Sequence, residues 1–527
     1  MKTLNIKQLE MKNIVTCIIA FIITLFSTHS ALAIDVTELK LPKSNKVIIK
    51  LMFRNGSIAD PADKKGLTYL TANTVIEGGT KEMNSTQLND FLYPMAANFA
   101  TSVDKEVTVF TFEVHKDFLS KVYPLIKGMI TNPRFAEEDF SRMKSNQQNY
   151  VDELVRSTSD EDYCKKTLED LLFRGTNYAH MVQGTSAGVK SITLEDVKSF
   201  YAKMFTVNNV SIGVAGNYTP IFLSNLLSDL QNLSPFKVNI PVAGKANSIT
   251  GLNVEIIAKE NALGSAIFAG IELPVTRSSD DFAALMIANS WLGEHRKSYS
   301  QLYKKIREER SMNYGDYSYI EWYDNAGRNM LPRPGVTRTS NYFSIWLRPV
   351  QIAKGLKEQY PELKDITMGH AHFALRMAMN EMQRLIDKGL SEADFELTRA
   401  FLRSYIKLYA QSPERQLGFM MDSKFYGRKD YLKEMDGLLA KITNADVSNV
   451  MKKYWQTQNM FISIVTDKSE AEPLKNSLEN GTPSPMSYSD TQKAVLSKEI
   501  LTEDEQVMSY PLKAVKVTIV DSMETFK

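Results

Sequence analysis

Apolar and polar positions along this chain follow two periods. Apolar runs of strand length stand at residues 46–53 (KVIIKLMF), 107–114 (VTVFTFEV) and 341–347, rich in β-branched and aromatic residues. Between them lie stretches of helical period: a buried run at 66–75 stopped by Gly78-Gly79, and long amphipathic segments at 141–154 and 396–409. Strands and long helices mixed in this way predict an α+β class, each sheet mostly antiparallel with helices packed on one face.

The pattern also repeats. Residues 192–216 align without gaps on 442–466, 250 positions later, and Ile192, Thr193, Asp196, Val197, Lys203, Asn209 and Ile212 each meet an identical residue. Thr193 with Asp196, and Thr443 with Asp446, have the spacing of a capping box that satisfies free amides at a helix start. Each copy then reads as amphipathic helix, polar turn at Asn209 or Asn459, and a Val/Ile-rich strand. A second pair, FAEEDF at 135–140 and LSEADF at 390–395, opens the two long helices. Two homologous halves are therefore expected at 34–235 and 252–470, joined by a linker at 236–251 and followed by a tail at 471–527 that ends in a strand-like run, 515–520.

The 527 residues suit more than one core, and 43% hydrophobic with 24% charged residues is a globular composition. The first 33 residues carry lysines at 2, 7 and 12, an apolar stretch at 14–26 and Ala31-Leu32-Ala33, the layout of a secretory signal; translation from Met11 would keep that layout. Cleavage after Ala33 removes three lysines and one glutamate from 63 basic and 61 acidic residues, leaving 60 of each. That balance shows no bias toward nucleic acid. Cys17 leaves with the signal, so Cys164 has no partner and a disulfide framework is excluded. The expected address is the periplasm, or the cell exterior.

The segment 66–80, GLTYLTANTVIEGGT, follows the strand 46–53 and a connection punctuated by Gly56 and Pro61. This strand, turn, helix and Gly-Thr frame resembles the opening of the pitrilysin/insulinase (M16) peptidases, whose helix carries His-x-x-Glu-His. The aligned positions here are Tyr69-Leu70-Thr71-Ala72-Asn73. A catalytic zinc takes imidazole, thiolate or carboxylate ligands, with a carboxylate nearby to accept the proton of its water. Tyr69 and Asn73 offer neutral oxygens, and Ala72 cannot act as a base. The same five residues also read as a core helix that never met a metal.

The resemblance covers nearly all of the chain after the signal and implies further sites. Glu153, 80 residues beyond Asn73, falls where the family places a third zinc ligand; on its own it is a solvated helix charge. The strand 98–104 resembles the family's substrate-pairing edge, so Asn98, Ala100 and Thr101 are candidates for capturing extended peptide by backbone pairing. The alternative is an ordinary edge guarded by Asp104 and Lys105. In QLYKKIREERSMNY, residues 301–314, Arg307, Glu308 and Tyr314 match the family's Arg-Glu-x-x-Gly-Leu-x-Tyr, with Ser311-Met312 in place of Gly-Leu. In two-subunit members the chain without zinc ligands lends this Arg and Tyr to the substrate carbonyl beside its partner's zinc, a role suited to a guanidinium and a phenol as donors. An ordinary helix-surface pair is the competing reading.

Other chemistry is poorly supplied. Glu294 and His295 are expected near a turn where they could face a cavity. His370 and His372, two apart on a helix, point away from each other and cannot chelate one metal, and His115 and His180 are isolated. Gly184-Thr-Ser186-Ala-Gly188 matches a nucleophile elbow only in letters and reads as a loop, the next helix being expected from Thr193. Acidic residues just before Cys164 are expected to raise its pKa.

The resulting expectation is a catalytically silent M16 subunit with no cofactor of its own. It would bind unfolded peptide and complement a homologous partner whose His-x-x-Glu-His holds zinc. A peptide-binding module without any proteolytic role, and a zinc endopeptidase with an unrecognised metal site, are the alternatives.

Overall fold

The computed structural model describes residues 34–321 and 333–527. The expected signal segment, with Cys17, lies outside the described residues. Five strands form a first sheet: β1 (Asp35–Lys40), β2 (Lys46–Phe53), β3 (Asn98–Val103), β4 (Thr108–His115) and β5 (Val210–Gly216), in the order β1-β5-β2-β4-β3. Six form a second: β6 (Leu252–Lys259), β7 (Ser265–Glu272), β8 (Asp316–Tyr319), β9 (Tyr342–Val350), β10 (Phe461–Asp467) and β11 (Ala514–Asp521), in the order β11-β6-β10-β7-β9-β8. Without β11 the second order repeats the first strand for strand. Each sheet holds one parallel contact of matching kind, β1 with β5 and β6 with β10, and β11 adds another on β6.

The helices used below are α1 (Leu67–Glu77), α2 (Glu137–Asn149), α3 (Asp160–Phe173), α4 (Ser186–Ser191), α5 (Leu194–Met204), α6 (Asp281–Gly293), α7 (Ala371–Lys388), α8 (Pro413–Phe425), α9 (Asn444–Tyr454), α10 (Lys468–Asn480) and α11 (Lys498–Val507). Both expected capping boxes form: Thr193 accepts from the Asp196 amide ahead of α5, and Thr443 from the Asp446 amide ahead of α9.

Each sheet buries both faces, and the cover comes from two sources. On one face of the first sheet, Val47, Ile49, Leu51, Phe110, Phe112 and Ile212 pack with α1 and other helices of the same half. On its other face Ile48, Met52, Val109 and Ala215 meet Leu417 and Met421 of α8, a helix of the second half. The second sheet mirrors this, with Ile256, Ile267 and Ile464 toward α6 and α7, and Ala266, Phe268 and Val465 toward Leu168 and Leu172 of α3, a helix of the first half. The α+β halves thus form as expected, but the second face of each sheet is covered by a helix lent from the other half. Gly213 permits the approach: a Cβ there would lie 2.5 Å from Met421 Sδ and 3.0 Å from Leu417 Cγ.

The tail is not an appendage. Helix α10 runs across the boundary expected at 470/471, and β11 completes the second sheet. Beyond it, Arg156 donates to the carbonyl of Ser522 at 2.8 Å and to that of Thr525, while the Phe526 carbonyl accepts from the Ser186 amide at 2.9 Å. The C-terminus is so fastened to the first half. No helix among the described residues is long and apolar enough to cross a membrane.

Candidate functional site

Helix α1 starts in a preformed socket. Buried Asp60 accepts hydrogen bonds from the Gly66 amide (2.7 Å), the Thr68 amide (2.7 Å) and the Thr68 hydroxyl (2.6 Å), placing a carboxylate against the positive end of the helix. His180 Nε2 lies 3.2 Å from the same carboxylate, and burial lowers the His180 pKa. Gln147 of α2 donates to the Gly66 and Gln183 carbonyls at 2.9 and 2.7 Å. Gly184 lies so close to Lys65 that a Cβ would be 2.1 Å from its carbonyl oxygen. The Gly-Thr-Ser-Ala-Gly letters therefore serve packing under α1. They also begin a short helix, α4, at Ser186 with Thr185 as cap, which corrects the expected plain loop; the Thr185 side chain supplies the start signal the sequence reading passed over.

On α1, Tyr69 and Asn73 lie one turn apart on the half-exposed side, and Ala72 is fully buried. The Asn73 carboxamide donates to the Tyr69 carbonyl at 2.9 Å, a local bond within the helix. Glu153 is exposed on a π-helical turn, Tyr150–Leu154, that continues α2. These residues do not fit zinc: Tyr69, Ala72 and Asn73 offer a phenol, a methyl group and a carboxamide. Among the described residues no group of three or more His, Cys, Asp and Glu could hold a metal ion.

β3 is an edge, paired only with β4, and Asn98 and Ala100 are exposed on it while Thr101 is half-buried. Asp104 and Lys105 do not guard that edge, contrary to one of the two readings above. Both turn inward. Asp104 takes a two-pronged bond from Arg338, and the Lys105 ammonium lies 2.6 Å from Glu169 and donates to the carbonyls of Tyr178 (2.9 Å) and His180 (2.6 Å). Burial would raise the Glu169 pKa, but Lys105 and Arg338 outweigh it and hold this carboxyl at about 2. Glu106 completes the group by accepting from the Thr339 and Ser340 amides and the Tyr178 hydroxyl. These charges seal the junction between the halves. Sequence reasoning missed that role.

In the second half Arg307 sits on a π-helical segment, Tyr303–Glu308, its guanidinium 5.3 Å above the Tyr303 ring. Glu308 is exposed, and Tyr314 is 79% exposed. Ser311 adopts φ +53°, a left-handed conformation that favours glycine, and Met312 is buried.

The remaining candidates are structural. His295 does not face a cavity: it is buried, with Nδ1 2.7 Å from the Tyr319 hydroxyl and its ring against Tyr317, and burial lowers its pKa to about 3. Burial also raises the Glu294 pKa. His370 Nε2 lies 3.0 Å from the Ser487 carbonyl and His372 Nδ1 2.7 Å from Ser477 Oγ, so the pair serves two separate partners. Cys164 is buried under the second sheet, donating toward the Ala266 and Ser463 carbonyls; its thiol is pushed up to about 12 chiefly by burial, and the acidic neighbours that the sequence suggested are a minor cause.

Comparison with known proteins agrees with this geometry. Residues 36–186 match the family described as insulinase (peptidase family M16), and residues 191–344 match the peptidase M16 inactive domain. A Helicobacter pylori protein named non-peptidase homolog YmxG is 28% identical over 170 residues, 32% of this chain and 38% of that protein. Bacillus subtilis YmxG, named an uncharacterized zinc protease, is 19% identical over 54% of this chain and 68% of its own length. The chain thus spans well under half of the first of these relatives. Among solved structures, a peptidase M16 inactive domain from Pseudomonas fluorescens has a TM-score of 0.67 at 18% identity, covering 82% of this chain and 95% of that one. A protease from Helicobacter pylori has the same TM-score at 13% identity, covering 82% and 98%. With two M16 matches in tandem and the duplicated sheets in place, the chain belongs to the M16 (insulinase) peptidase family.

Proposed function

We propose that this chain is a non-catalytic M16 subunit that captures extended peptide along β3 and completes the active site of a zinc-bearing homologue with Arg307 and Tyr314. The observation that carries the reading is a contrast within one molecule. The helix that resembles the motif helix offers no zinc ligand at Tyr69, Ala72 or Asn73, while the segment ending in Tyr314 bends through Ser311 and leaves Tyr314 79% exposed. A guanidinium and a phenol are donors, and donors stabilise a carbonyl gaining negative charge. The β3 edge supports the peptide side of the reading, since an unpaired edge offers main-chain groups to an added strand.

The test mixes the purified chain with a homologue that carries His-x-x-Glu-His and follows cleavage of a fluorogenic peptide. The chain alone is expected to be silent and the mixture active. The double variant Arg307→Ala/Tyr314→Phe should lower kcat of the mixture at least ten-fold, and an unchanged kcat would remove the proposed role. Peptide binding with no partner-dependent cleavage would favour a binding module instead. Chelator-sensitive cleavage by the chain alone would favour a peptidase. We further propose export; a secreted product beginning at Ile34 by N-terminal sequencing is the expected result.

A further inference from the structure

Lys305, Arg307 and Arg310 are all drawn in from solvent on one short segment, yet acids claim only two of them. Lys305 lies 3.2 Å from Glu309 and 2.9 Å from Glu503, and Arg310 is held by Glu503 and Asp504, both at 2.7 Å. Among the described residues Arg307 has no carboxylate or carbonyl partner; its guanidinium rests over the Tyr303 ring, 5.3 Å from the centroid. A cation held by a ring face uses its charge and leaves its N–H donors available.

The ring itself is fixed from both halves. Tyr303 is half-buried and packs against the apolar cluster that joins Val151 and Val155 of the first half to Tyr317 and Trp346 of the second sheet. Its neighbours Leu302 and Ile306 are fully buried in the core of the second half, so the π-helical turn that carries Tyr303 and Arg307 is anchored on two sides. π-Helical turns are rare and often stand at functional sites. We propose that Tyr303 is a positioning residue, the platform that keeps the Arg307 guanidinium in place for an acceptor brought by a partner. The proposal rests on the reading that Arg307 acts in a partner's active site. Ordering a long side chain before the reaction removes that cost from the transition state, so the benefit belongs to kcat.

The test uses the full chain mixed with a homologue that carries His-x-x-Glu-His. Tyr303→Leu should lower kcat of the mixture about three-fold at unchanged KM, as suits one exposed cation–π contact, whereas Tyr303→Phe keeps the ring and should match wild type. Arg307→Ala should lower kcat further, and adding Tyr303→Leu to it should have no additional effect, because the ring then has nothing to hold. By NMR of the free chain, the Arg307 δ-methylene protons should be shifted upfield by the ring in wild type and Tyr303→Phe, and not in Tyr303→Leu. Tyr303→Met carries the same comparisons if the leucine variant does not fold. A further loss of kcat on adding Tyr303→Leu to Arg307→Ala, or a Tyr303→Phe variant as impaired as Tyr303→Leu, shows that the residue serves packing and overturns the positioning role. Unchanged kcat in Tyr303→Leu where Arg307→Ala is impaired also overturns it, and leaves the reading of Arg307 standing. Unchanged kcat in Arg307→Ala removes that reading and the positioning role with it.

Discussion

Arg338 donates Nε and Nη2 to the two oxygens of Asp104, both at 2.7 Å, across the junction between the halves. The same guanidinium donates to Glu169 at 2.8 Å through Nη1. One cation therefore satisfies two carboxylates that burial would otherwise penalise, in a geometry that uses the planar fork fully. Removing it takes the guanidinium from Asp104 and leaves Glu169 with the Lys105 cation alone. Arg338→Met is expected to cost roughly 3–5 kcal/mol in urea unfolding at neutral pH. The Glu169 carboxyl is held low, at about 2, so its contribution is present above the ordinary Glu range and is lost as pH falls from about 4 toward 2. A variant with wild-type stability would show that the network does not hold the halves.

The exchange of helices between halves makes a second prediction. Leu417 of α8 is fully buried against a sheet to which its own half contributes no strand. Leu417→Ala should destabilise by about 2–5 kcal/mol, and Leu168→Ala, its counterpart on α3, by a similar amount. Because each helix seats on the opposite half, both variants should unfold in one transition by calorimetry. Two separated transitions in either variant would mean that the halves are independent and the exchange is incidental.

Much of this was legible in the chain, and the illegible parts share a cause. The run KVIIKLMF gave β2 to the residue, and the Thr-x-x-Asp boxes gave both copies of the helix-strand unit. β2 also carried an unused signal. Its apolar residues do not alternate, so both of its faces must be covered, which pointed to a second layer of helices. Asp104, Lys105 and Glu106 looked like solvent-facing charges after an edge strand, because the partner that turns Asp104 inward is 234 residues away.

Ser311 holds a left-handed backbone at a cost of about 1–2 kcal/mol that a glycine avoids. Part of that relief is returned as unfolded-chain entropy, so Ser311→Gly should stabilise by roughly 0.5–1 kcal/mol. The substitution lies in the segment between Arg307 and Tyr314. Melting temperature checks it, and a destabilised variant would show that the Ser311 side chain has a use beyond filling the bend.

His372 is kept neutral by burial, with Arg376 adding to the effect, and its pKa falls to about 3 against about 6.5 in an unfolded chain. Between those values the unfolded chain binds a proton that the native state refuses, so this residue's contribution falls as pH falls. The slope is about 1.4 kcal/mol per pH unit. His372→Gln removes the term and also disturbs the bond to Ser477 Oγ, which costs a nearly constant amount. The stability gap between wild type and variant is therefore expected to narrow by about 2 kcal/mol from pH 6.5 to pH 5 in paired urea titrations. A gap independent of pH would mean that His372 titrates normally in the fold.

Tyr69, Ala72 and Asn73 of α1 differ in how they tolerate the metal-site residues that the resemblance implies. Tyr69 and Asn73 are half-buried on one side of α1, and histidine there keeps a polar group near solvent; Tyr69→His and Asn73→His should each change stability by under about 1 kcal/mol. Ala72 has no exposed surface and packs in the core cluster with Leu70 and Val75. Glutamate in that place brings a carboxylate into an apolar setting and adds volume to a filled core. Ala72→Glu should therefore cost about 3 kcal/mol or more, with part recovered at low pH as the new carboxyl protonates. The measurement is urea unfolding of the three single variants at pH 7 and pH 5. If Ala72→Glu proves as stable as the two histidine variants, the core has room for the lost base, and the helix is closer to a working metal site than its packing indicates.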